Sequence, residues 1–90
     1  MLSPIYSPHF RHDVKKCERR GKDMKKLDAA IALLLEQAHL PAQERDHELK
    51  GTWKHHRELH LEPDWLLVYK VEGGYCTFER TGRHSDIFGE

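Results

Sequence analysis

Apolar positions in the first forty residues recur at helical spacing. Phe10, Val14 and Cys17 stand at i, i+4 and i+7 behind Ser7-Pro8, a natural N-cap and first helical residue, and predict a helix with one buried stripe. Gly21 is its expected stop. Asp23 is placed to cap a second helix, in which Leu27, Ala30, Ile31, Leu34 and Leu35 repeat until Leu40-Pro41 closes it. Two helices joined by a tight turn make a hairpin.

Beyond that point the period changes. Residues 41 to 52 are polar without a period and are expected to form a loop. From Trp53 to Leu61, the positions Trp53, His55, Arg57, Leu59 and Leu61 alternate with polar ones, which predicts a strand closed by Pro63. Trp65 to Val71 and Tyr75 to Arg80 are aromatic and β-branched runs, and Gly73-Gly74 between them signals a hairpin turn needing positive φ. The short apolar start, Ile5 and Tyr6, is a candidate extra strand. The expected fold class is α+β: a helical hairpin packed on one face of a small, mostly antiparallel β-sheet, with residues 1–90 as a single domain.

Composition narrows the class. Mean hydropathy is −0.81 and no apolar run approaches the roughly 18 residues of a membrane-spanning helix, so no membrane role is expected. Cys17 and Cys76 are too few and too far apart for a disulfide framework or a CxxC site, and no export signal opens the chain, so the reducing cytoplasm is the expected location. Fifteen basic and fifteen acidic residues cancel, whereas polyanion binders usually carry excess positive charge. The neutrality is an average. Residues 9 to 26 carry +5, 27 to 49 carry −4, 50 to 60 carry +2 and 61 to 90 carry −3. The stretch Lys15, Lys16, Arg19, Arg20, Lys22, Lys25, Lys26 is either a solvated helix face or a phosphate-tracking patch.

Eight histidines are the other unusual count, because histidine alone donates and accepts protons near neutral pH without a perturbed pKa. Asp46, His47, Arg57, His60, Asp64, Arg80 and His84 all lie in the second half, at predicted strand ends and loops. One cofactor-free reaction suits histidines, a carboxylate and an arginine: cleavage of RNA by its own 2′-hydroxyl. It needs a base, an acid for the leaving 5′-oxygen and a cation for charge building on phosphorus. A metal site is the rival. On a strand, however, His56 and His60 stand roughly 13 Å apart, too far for one ion, and neither HExxH nor CxxC is present. No metal and no cofactor are expected.

In order, Arg19-Arg20-Gly21-Lys22-Asp23, Arg45-Asp46-His47, Leu49-Lys50-Gly51, Arg57-Glu58-Leu59-His60, Glu62-Pro63-Asp64-Trp65, Arg80-Thr81-Gly82 and Phe88-Gly89 resemble a YafQ-type toxin of the RelE superfamily over almost the whole chain. The resemblance implies a RelE-like fold and the toxin of a type II toxin–antitoxin system, an endoribonuclease cutting mRNA in the ribosomal A site. It would carry catalytic or RNA-contacting roles onto His47, His60, Asp64, Trp65, His84 and Phe88, with Arg80 as phosphate ligand; Arg57 is a further candidate RNA contact. Implied partners are a cognate antitoxin, the ribosome and mRNA, with operator DNA reached only through the antitoxin complex. The alternative is an inactive binding module of the same fold that serves in autorepression. Two departures stand out: Glu48 where the family usually has proline, and His55-His56 where relatives often show Gly-Tyr.

Overall fold

The computed structural model describes residues 1–37 and 47–89, with His47 and Glu48 described in the backbone alone. Its elements run β1 (Ser3–Tyr6), α1 (Pro8–Arg19), α2 (Met24–Leu35), β2 (His47–Glu48), a 3₁₀ turn (Gly51–Trp53), β3 (Arg57–Glu62), β4 (Trp65–Glu72), β5 (Tyr75–Gly82) and α3 (His84–Phe88). Among the described residues, the strands form one sheet in the order β1-β5-β4-β3-β2. The β1–β5 pair is parallel and the other pairs are antiparallel.

The expected caps form. Ser7 Oγ accepts the Phe10 N–H at 3.0 Å, while its hydroxyl donates to the Glu79 carbonyl at 2.9 Å, so the start of α1 is pinned to β5. Gly21 turns the chain at φ +76°, and Asp23 Oδ1 accepts the Lys25 N–H at 3.1 Å to open α2. That helix stops at Leu35, earlier than Leu40-Pro41. The Leu34 carbonyl takes the Gln37 N–H, and Gln37 swings into the left-handed region at φ +57°. Residues 38–46, with Asp46, the Leu40-Pro41 stop and the first half of the expected loop, lie outside the described residues.

Between β4 and β5 the glycine turn is as expected, with φ +59° at Gly73 and +83° at Gly74. The strand expected from Trp53 is shorter. Gly51–Trp53 winds into a 3₁₀ turn and His55 sits at φ +73°, which breaks the extended chain until Arg57. Upstream, His47–Glu48 pairs with Glu58 and Arg57 as an edge strand instead of belonging to a loop.

Central strand β4 explains the layering. Trp65, Leu67 and Tyr69 join Phe10, Cys17, Leu27, Ala30, Leu59, Cys76 and Phe78 in a core beneath the helical hairpin. Leu66 and Val68 point the other way and meet Ile87 of α3, with Leu49, Trp53 and Phe88 packed around them. A strand buried on both faces is why this segment reads as an unbroken apolar run. The second layer, α3, was not anticipated from the sequence: five residues carry too little period to announce a helix.

Candidate active site

The face carrying α3 gathers most of the expected site residues. On β3, Glu58 and His60 stand opposite Val68 and Leu66 in the register, hence on the α3 side, and His60 Nε2 lies 3.9 Å from Glu58 Oε1. His47 pairs with Glu58 on β2, so its backbone borders the same region. Asp64 occupies the two-residue turn into β4. Its Oδ1 accepts the backbone N–H of His84 at 3.1 Å, which ties that turn to the first residue of α3. The exposed His84 ring tilts against Phe88 with centroids 4.7 Å apart.

From Phe88 the aromatic contacts continue to Trp53, which sequence reasoning did not single out, and to His56, which it weighed as a metal ligand and a family departure. Trp53 meets Phe88 edge-on at 6.0 Å and His56 edge-on at 5.3 Å, and His56 Nε2 lies 3.2 Å from Glu79 Oε2. Trp53 was expected on a strand, and only the left-handed turn at His55 folds it over this face. The sequence carries no period that would reveal it.

Helix α3 is too short to hold itself. Asp86 anchors it by accepting from Arg20 at 2.6 Å and Lys16 at 3.4 Å, both on α1 or its C-cap, and from the Arg83 N–H at 3.0 Å. Arg20 above all, with Arg83 and Lys16, holds the Asp86 carboxyl well below the usual carboxylate range. Behind it, Gly82 at φ +150° lets the chain pass close; a Cβ there would lie 3.2 Å from Asp86 Oδ2. In the same way, Lys22 and Lys26 each reach Glu62 at 2.9 Å and lower its pKa. Four cations of the basic stretch therefore dock the hairpin onto α3 and β3, while Lys15, Arg19 and Lys25 remain exposed.

Two of the expected RNA contacts are placed away from the open face, and a third is already paired. Trp65 is 1% exposed, donates its indole N–H to Thr81 Oγ1 at 3.0 Å and has Lys22 Nζ 5.6 Å above its ring. It is a core residue that no RNA base can stack on. Arg80 is committed to the buried Asp13 of α1 through Nε at 2.7 Å and Nη2 at 3.1 Å, a fork-on-carboxylate pair that raises its pKa. Any phosphate it meets must share it with that carboxylate. Arg57 stands opposite Tyr69, on the helix side of the sheet, and lines a shallow pocket with His55, Lys70, Val71 and Glu72. The fold does not bring it to His60 and His84. Among the described residues, no three His, Cys, Asp or Glu side chains converge as metal ligands do.

Residues 2–89 match the family model of the bacterial toxin of type II toxin–antitoxin system, YafQ. The mRNA interferase toxin YafQ of Escherichia coli K12 is 46% identical over 85 residues, covering 93% of this chain and 92% of the relative. A crystal structure of YafQ from E. coli BL21(DE3) superposes with a TM-score of 0.94 at 42% identity, covering 99% of this chain and all of the other. The toxin chain in an E. coli DinJ–YafQ toxin–antitoxin complex does so at 0.90 and 44% identity, with 98% of each chain covered. Sheet, hairpin and sequence agree along nearly the whole length, and the chain belongs to the YafQ family of type II toxin–antitoxin toxins.

Proposed function

We propose that this toxin is an endoribonuclease that cuts mRNA in the ribosomal A site, in the cytoplasm, and is restrained by a DNA-binding antitoxin. The observation that carries the reading is the meeting of His84, Asp64 and Phe88 at the start of α3, on the sheet face that His60 shares. His60 and His84 supply the two proton-transfer groups. One takes the proton of the 2′-hydroxyl as its oxygen attacks phosphorus. The other gives a proton to the 5′-oxygen as the P–O5′ bond breaks, leaving a cyclic phosphate and a 5′-hydroxyl. Asp64 fixes His84 through its backbone, Phe88 offers a surface for a base, and His47 borders the same region.

The site is open, with His84 and Asp64 both exposed. Such a face depends on a second body to hold the RNA in line, and the ribosome supplies that positioning. Support for the substrate comes from the E. coli relative, named an mRNA interferase toxin, and for the partner from the DinJ–YafQ complex. Purified chain and His84→Ala, each added to ribosomes carrying a defined mRNA, provide the test. Wild type is expected to produce A-site cuts and the variant almost none. No new mRNA ends with either, and no growth arrest when the free chain is expressed, would refute the reading in favour of a binding module acting on operator DNA with its antitoxin.

A further inference from the structure

Beside the candidate catalytic face lies a second concavity of 470 Å³, lined by Ser7, Pro8, His9, Trp53, Glu79 and Arg80. We propose that it is a nucleobase subsite, taking a base that bears an exocyclic amine from a nucleotide next to the cleaved linkage; this rests on the nuclease reading above. The cleft exists because β1 ends at Tyr6 and the chain turns into α1 at Ser7, so that among the described residues the last ones of β5 have no strand neighbour on that side. At this point β5 bulges. Tyr69 pairs with Phe78 and Val68 with Arg80, so Glu79 is the extra residue. Bulges beside functional sites re-aim a side chain, and here the Glu79 carboxylate is turned to the cleft and to His56.

The lining chemistry fits a base. Trp53, held edge-on between Phe88 and His56, supplies a fixed aromatic wall, and Pro8 adds a second apolar surface. An ionised carboxylate only accepts hydrogen bonds, and its two oxygens have room for more donors than His56 alone provides. At the exocyclic position it therefore favours the amine of adenine, cytosine or guanine over the carbonyl that uracil carries there. Arg80 borders the same cleft with its guanidinium held in place by Asp13. The contact row His84–Phe88–Trp53 makes cleft and catalytic face continuous, as one RNA strand crossing both requires.

The test maps cleavage on ribosomes programmed with mRNAs that differ at one nucleotide flanking the cut, comparing each amino-bearing base with its deamino analogue and with uracil. Wild type is expected to cut the amino-bearing RNA about tenfold faster at one flanking position, the worth of a hydrogen bond to a charged group. Glu79→Gln is expected to lose that ratio, cutting the amino-bearing RNA no faster than its deamino analogue. Wild type that cuts amino and deamino RNAs equally at both positions overturns the subsite without involving any variant. Equal loss by Glu79→Gln on all RNAs, or an unchanged ratio, also overturns it by reducing Glu79 to a support for His56. Failure of wild type to cut any of them refutes the nuclease reading instead, and the subsite with it.

Discussion

Replacing Asp13 by alanine leaves the Arg80 guanidinium, 16% exposed, without the carboxylate that accepts hydrogen bonds from its Nε and Nη2, and leaves the Thr81 N–H without its acceptor. Removing one partner of a buried pair costs about 3 kcal/mol, the lower end of the usual range because Arg80 keeps some solvent. Asp13→Ala should melt correspondingly lower in thermal denaturation, and cleavage should fall with the folded fraction. Trp65 and His84 part company by the same reasoning. Trp65→Phe loses the bond to Thr81 and some packing, about 1–3 kcal/mol, with turnover per folded molecule unchanged. His84→Ala should leave the melting temperature in place and lower A-site cleavage by about 10²-fold or more. Side-chain accessibility separates the two, and sequence carries none: the Glu62-Pro63-Asp64-Trp65 motif sets Asp64 and Trp65 side by side, yet the turn exposes the first and the pleat buries the second.

Elements divide according to how much local pattern they own. Helix α1 has its cap, proline and stripe in the sequence, and α2 its aspartate and heptad-like leucines. The β4–β5 hairpin has two glycines that the turn needs at positive φ. Gly73→Ala, at the end of β4 far from Asp64, should cost about 1 kcal/mol by forcing an L side chain into left-handed backbone, and should leave cleavage unaltered. What could not be read ahead, α3, β2 and the turn at Gly51–Trp53, has almost no period of its own. These short pieces are held by distant partners: Asp86 by Arg20 and Lys16, the His84 N–H by Asp64, Glu48 by Arg57. They are also the pieces that build the candidate catalytic face. Much of the fold could therefore be read from the chain, whereas of the site only the residue types could, and not their grouping.

At the scale of the whole molecule, zero net charge reflects internal neutralisation. Lys16, Arg20, Lys22 and Lys26 meet Asp86 and Glu62, and Arg80 meets Asp13. Asp86 titrates in the folded protein below its usual value of 3.8. A depressed carboxylate stabilises in full above its unfolded pKa, and that stability disappears as pH falls through the folded one. Melting temperature should thus hold from neutrality to about pH 5 and decline below about pH 4. Asp86→Asn should melt lower than wild type at pH 7, with the gap closing in acid. Both cysteines are buried, and burial raises the Cys17 thiol and pushes Cys76 to about 11. Neither should react with a thiol reagent at pH 8 until denaturant is added.

By itself the sequence determined the α+β class, the helical hairpin with its caps, the glycine turn and the histidine-rich chemistry of the second half. Each of these follows from contacts or backbone preferences within a few residues. Only the tertiary structure decided that Trp65 is core, that Arg80 serves Asp13, that Arg57 faces away, and that Trp53, His56 and Glu79 line up with His84 and Phe88. Those outcomes depend on which side of a strand a residue lands and on partners up to about seventy positions away, and no local pattern encodes either.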